Sequence, residues 1–136
     1  MTLDNIKEEL KKAETIVVLT HESPDGDAVS SSLSVKLAIE KLGKKVDVII
    51  PEYSKDFEFL PKADEIKKES SIKQYDLAIS VDCSDLKRLE GSETYFETAK
   101  RTIQIDHHSV NTMFADINYV DPVAPACCQI LIGMFE

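Results

Sequence analysis

The chain has 136 residues, enough for one core and too few for two. Apolar residues make up 43% and charged residues 30%, an ordinary globular balance, and no apolar run approaches the ~18 residues of a membrane span. Sixteen basic against 25 acidic side chains leave a net charge of −9, so no basic stripe exists for tracking long duplex nucleic acid. A small anionic substrate stays compatible with that charge if metal cations sit between it and the carboxylates.

In chain order, residues 3–13 place Leu3, Ile6, Leu10 and Ala13 at helical spacing. "MTLDNIKEELKKAE" is charged and amphipathic and lacks the apolar middle of an export signal. "TIVVLT" (15–20) reads as a buried strand. The next helix is expected over 28–43, headed by Asp27 as N-cap, with Leu33, Leu37 and Ile39 to Leu42 on one side and Gly43 as its stop. "KKVDVIIP" (44–51) is a second strand. Residues 52–74 read as charged and irregular, with a turn of helix near 62–66. "YDLAISVD" (75–82) and "RTIQID" (101–106) are strands joined through a weak helix over 92–100. "INYVD" (117–121) is a short edge strand, and "APACCQILIGMFE" reads as a helix.

Apolar strands alternating with helices predict an α/β fold, a doubly wound and mainly parallel sheet with helices on both faces and right-handed crossovers. Ligands of such sheets bind outside the carboxyl ends of the strands. His21, Asp25 and Asp27 follow the first strand, Asp82 ends the third, and Asp106, His107 and His108 end the fourth. Singly, each cluster has an ordinary reading. Pro24-Asp25-Gly26 is a turn tripeptide, and Asp82 and Asp85 could cap a following helix. Together, at strand ends that share one sheet edge, they indicate a metal site. Imidazole with carboxylate suits Mn²⁺, Fe or Zn²⁺, and two cations ~3.5–4 Å apart need a bridging carboxylate, for which Asp82 is the natural choice. Cys83, beside Asp82, should point elsewhere. Cys127 and Cys128 are vicinal, so they close into a disulfide only with strain. Reduced thiols and no export signal place the protein in the cytoplasm.

"HESPDGDA", "SVDCSD" and "IDHH" resemble, in order and approximate spacing, the first three motifs of the DHH phosphoesterases, over about residues 15 to 121. The resemblance implies two Mn²⁺ ions, with His21 and Asp25 on the first, Asp27 and His107 on the second, and Asp82 bridging both. It implies that His108 binds the substrate phosphate, that Asp106 orients the neighbouring histidines, and that a hydroxide held between the metals attacks phosphorus. Asp85 and Arg88 are assigned only capping and ion-pair roles.

The chain departs from the family at Ser30-Ser31, where a glycine is usual and a side chain could crowd the backbone. Cys127 and Cys128 stand where hydroxyls are common. A further aspartate for the second metal, and a C-terminal substrate-binding domain, are expected downstream of Asp121 and are absent. Residues 1–136 are therefore expected to be an incomplete DHH domain with weak or no activity, its first metal held better than its second. The branch that degrades short oligoribonucleotides or dephosphorylates 3′-phosphoadenosine 5′-phosphate fits best, with a short oligonucleotide or nucleotide phosphate as substrate, no membrane partner, and homodimerisation left open. The alternatives are a metal- or nucleotide-binding fragment without turnover, or a pyrophosphatase or cyclic-dinucleotide phosphodiesterase of the same family.

Overall fold

A computed structural model describes residues 2–124, with the side chains of Thr2 and Leu3 left aside. Beyond Ala124, the expected tail helix and Cys127-Cys128 lie outside the described residues. The elements run α1 (Thr2–Lys12), β1 (Ile16–Leu19), α2 (Gly26–Lys41), β2 (Val46–Val48), β3 (Leu77–Val81), α3 (Glu93–Thr98), β4 (Arg101–Asp106) and β5 (Ile117–Val120), with three short 3-10 turns at 55–57, 63–65 and 86–89. None of the described helices is long and apolar enough to cross a membrane.

All five strands are parallel, in the order β2-β1-β3-β4-β5. The chain leaves β1 for β2 on one side and returns to β3 on the other, so the order reverses between β1 and β3. Diverging crossovers open a crevice at such a switch point, at the carboxyl ends of the strands. The α/β fold expected from the alternation is the one observed.

Both sheet faces are dry, which is why the strands read as continuous apolar runs rather than alternating ones. Ile16 and Val18 pack with Ile79, Ile103 and Ile105 beneath Ile6 and Leu10 of α1 and Val29, Leu33 and Ile39 of α2. Val17, Leu19 and Ala78 face the other way, against Leu89, Phe96 and Tyr75.

Several expected boundaries move. The second helix begins at Gly26, not residue 28, because Asp25 rather than Asp27 is its N-cap: the Ala28 N–H donates to Asp25 Oδ1 at 2.9 Å. Gly43 does stop it, in the left-handed region at φ 79°, with its N–H on Glu40 O at 2.9 Å. Leu42 lies past the last turn and is 58% exposed instead of joining the apolar side. The second strand contracts to three residues, and Ile49 instead makes an isolated parallel bridge to Lys67 that ties down the irregular 52–74 stretch. The expected turn near 62–66 is present as the 3-10 turn at 63–65.

Candidate metal centre

The three polar clusters meet at the switch-point edge. Residues Ile16–Leu19 pair in register with Leu77–Ser80, and Leu77–Val81 with Arg101–Ile105, so the residues that follow β1, β3 and β4 emerge side by side. Two buried hydrogen bonds hold the ends together. Thr20 Oγ1 donates to Val81 O at 2.7 Å, and the Asp82 N–H donates to Ile105 O at 3.0 Å.

Asp82 sits at the centre and is 2% exposed. Its backbone is left-handed at φ 54°, a conformation that aspartate tolerates better than most residues and that costs energy away from glycine. Its carboxylate reaches His21 Nε2 at 3.7 Å through Oδ2 and His107 Nε2 at 3.1 Å through Oδ1. Oδ1 is buried and has no hydrogen-bond partner. Burial, and after it the nearby Asp27 and Asp25 charges, push the Asp82 carboxyl above its usual range, against the opposing pull of the His21 hydrogen bond.

His21 is oriented from behind. Its Nδ1–H donates to Glu22 O at 2.7 Å, which turns Nε2 toward Asp82. The Asp82 carboxylate raises the His21 pKa above the ordinary imidazole value, while burial opposes that shift. Donor atoms of His21, Asp25 and Asp82 all lie within 4.8 Å of one another. Asp25 spends Oδ1 on the helix cap, which is compatible with its second oxygen serving as a donor.

A second group converges from the other side. Asp82, Asp106, His107 and His108 also bring donor atoms within 4.8 Å of one another. His107 Nε2 stands 3.4 Å from Asp27 Oδ2, so Asp27 joins this side of the centre. Asp27 also accepts from Ser31 Oγ at 3.2 Å. Ser31 is fully buried and makes that bond, whereas Ser30, which stands where the glycine is usual, is half-buried.

Asp106 has no exposed surface and both of its oxygens are engaged. Oδ1 accepts from His108 Nδ1–H at 2.6 Å and Oδ2 from Asn111 Nδ2 at 2.7 Å. The His107 and His108 rings lie 4.7 Å apart, tilted by 34°. Asn111 escaped the sequence reading. An asparagine five residues past the triplet looks like loop chemistry until the loop turns back, held by the Thr112 N–H on Ser84 O at 3.0 Å.

The remaining assignments fall where expected. Cys83 turns away, donating to Asp85 O at 3.2 Å, and burial pushes its thiol up to about 12. Asp85 caps the 3-10 turn at 86–89 by accepting from the Lys87 N–H at 3.0 Å, and Arg88 pairs with Glu22 at 3.7 Å.

The donor set fits divalent cations. Imidazole nitrogens and carboxylates alternate around a buried oxygen that lacks a hydrogen-bond donor, and such an atom is costly unless a cation satisfies it. Two donors ~2.1 Å from one ion fall ~3–3.5 Å apart, close to the separations seen here.

Residues 15–136 match the model of the DHH family, N-terminal domain, and the chain belongs to that family. It is 30% identical over 133 residues to the bifunctional oligoribonuclease and PAP phosphatase NrnA of Thermus thermophilus, covering 96% of this chain and 40% of that one. A probable bifunctional oligoribonuclease and PAP phosphatase NrnA of Streptococcus mutans is 27% identical, with 90% and 38% covered. The chain thus spans about 40% of the length of the curated relatives it matches. In fold it is similar to the crystal structure of an exopolyphosphatase-related protein from Bacteroides fragilis, with a TM-score of 0.90 at 24% identity over 98% of this chain and 42% of that one.

Proposed function

We propose that residues 1–136 form a DHH phosphoesterase domain that holds two divalent cations, Mn²⁺ by preference, and hydrolyses short oligonucleotides or nucleotide phosphates. The observation that carries this reading is Asp82, a buried carboxylate between His21 and His107, with one oxygen that makes no hydrogen bond and a share in both donor groups. His21, Asp25 and Asp82 would hold one cation, and Asp27, His107 and Asp82 the other. Bound there, the pair supplies Lewis-acid charge and lowers the pKa of a water. His108 presents Nε2 to the substrate phosphate because Asp106 occupies Nδ1, and Asp106 keeps that orientation because Asn111 holds its other oxygen. The cytoplasm suits a buried thiol such as Cys83.

Support for the substrate class comes from the relatives named as oligoribonucleases and PAP phosphatases. Since the chain spans about 40% of those relatives, a second reading is a metal- and nucleotide-binding unit with little turnover of its own. Incubation with a diribonucleotide and Mn²⁺, with and without chelator, separates the two. Metal-dependent release of mononucleotide supports the enzyme. A chelator-sensitive thermal shift without product supports the binding unit, and neither response sinks both.

A further inference from the structure

We infer, resting on the phosphoesterase reading, that a cavity on the β2 side of His21 receives the nucleoside arm of the substrate and turns away a polyphosphate chain. The cavity measures about 740 Å³, within the ~300–1,000 Å³ of small-molecule sites and far more than one phosphate needs. His21 is part of its wall, so it adjoins the candidate metal centre directly. The wall is built by the loops that follow β1 and β2 and by the end of the 86–89 turn, which the Glu22 N–H fastens by donating to Arg88 O at 2.7 Å.

Pro51 and Tyr53 give the cavity an apolar and aromatic side, and the Tyr53 hydroxyl is anchored on Ala63 O at 3.4 Å. Aromatic walls hold bases by stacking, and they do so regardless of base identity. The charges lining the cavity are all negative: Glu22, Glu52 and Glu90, with no Lys or Arg among the lining residues. Glu22 is paired with Arg88, but Glu52 and Glu90 have no ion-pair partner among the described residues. Carboxylates accept from sugar hydroxyls and exocyclic amines, whereas a phosphate entering the same space meets only like charge. A nucleoside whose single phosphate sits toward His21 satisfies both walls. A polyphosphate chain does not.

The test is binding of adenosine 5′-monophosphate and of inorganic tripolyphosphate, each with Mg²⁺, followed by the backbone amide shifts of Tyr53 and Gly91. Wild type is expected to show these shifts with the nucleotide and not with tripolyphosphate. Glu52 and Glu90 are exposed, so the double variant Glu52→Lys/Glu90→Lys keeps the fold, and it should bind tripolyphosphate about tenfold tighter and the nucleotide more weakly, because sugar and base lose two of their acceptors. Equal shifts from both ligands in wild type, or charge reversal that alters neither affinity, overturn the inference. Hydrolysis of a diribonucleotide with unmoved cavity amides sinks the inference and leaves the phosphoesterase reading standing. Cavity shifts without any hydrolysis do the reverse.

Discussion

The two edges of the same parallel sheet treat their aspartates in opposite ways. At the amino edge, Asp76 Oδ2 accepts from the Glu14 and Thr15 N–H groups at 2.9 and 3.3 Å, and the Asp76 N–H returns a bond to Thr15 Oγ1. Asp116 repeats the arrangement with Thr102, accepting from its N–H at 2.9 Å and donating to its Oγ1 at 2.8 Å. The backbone donors from Glu14 and Thr15 hold the Asp76 carboxyl below the usual range. At the carboxyl edge, burial pushes Asp82 up and leaves Oδ1 without a donor. The first edge uses carboxylates to close the backbone's hydrogen bonding. The second gathers carboxylates and histidines around Asp82, the one of them with a buried oxygen that makes no hydrogen bond.

The largest test of that contrast is Asp82→Asn, which keeps the left-handed backbone and removes the charge. On the proposed two-cation reading it should abolish any thermal stabilisation by Mn²⁺ and lower any metal-dependent hydrolysis by ~10³-fold or more, because both cations would lose a ligand. The metal-free variant should unfold at higher temperature than wild type, by the equivalent of about 1–2 kcal/mol, since a buried charge is gone. A preserved Mn²⁺ shift would remove Asp82 from the centre.

Next in size is Asn111→Ala, which leaves a fully buried Asp106 oxygen without its donor. About 1–3 kcal/mol of stability and ~10- to 100-fold in hydrolysis should be lost, and Asn111→Ser, which keeps a donor, should recover part of both. Equal losses in the Ala and Ser variants would show that the hydrogen bond to Asp106 is not what matters.

Asp76→Asn should cost about 1 kcal/mol, read in urea denaturation, with the Mn²⁺ shift unchanged from wild type. Loss of the metal response in that variant would erase the distinction between the edges.

The smallest effect is in pH. The lowered Asp76 pKa contributes stability that is present above its unfolded value near 3.8 and lost as pH falls through the lower folded value. Asp82 and His21, both raised, contribute in the opposite sense in the metal-free chain: their share is present below the unfolded values and lost as pH rises through the folded ones. Thermal midpoints of wild type and Asp76→Asn should therefore converge as pH falls below 3.8 through the lowered folded value and separate above 3.8.

Much of this was legible in the residues. Buried parallel strands need apolar residues on both faces, so β1, β3 and β4 stand out as β-branched runs, and their shared direction brings His21, Asp82 and His107 to one edge before any coordinates are known. Other features were not legible, for physical reasons. Asp25 and Asp27 are both competent caps, and only the helix start decides between them; it falls at Gly26. Nothing in the sequence marks Ser31 as the residue whose hydroxyl meets Asp27. Asn111 acquires its role only when a loop folds back.

Asp76 and Asp82 show where the boundary lies, because they bracket the five residues of β3 and are the same amino acid. Sequence alone determined that this strand is buried and that an aspartate stands at each end. Which of them is satisfied by backbone donors, and which is left facing two histidines, depends on residues about 60 positions away, Thr15 for one and His21 for the other. A carboxylate's chemistry is set by the donors and charges around it, and only the tertiary structure brings those together.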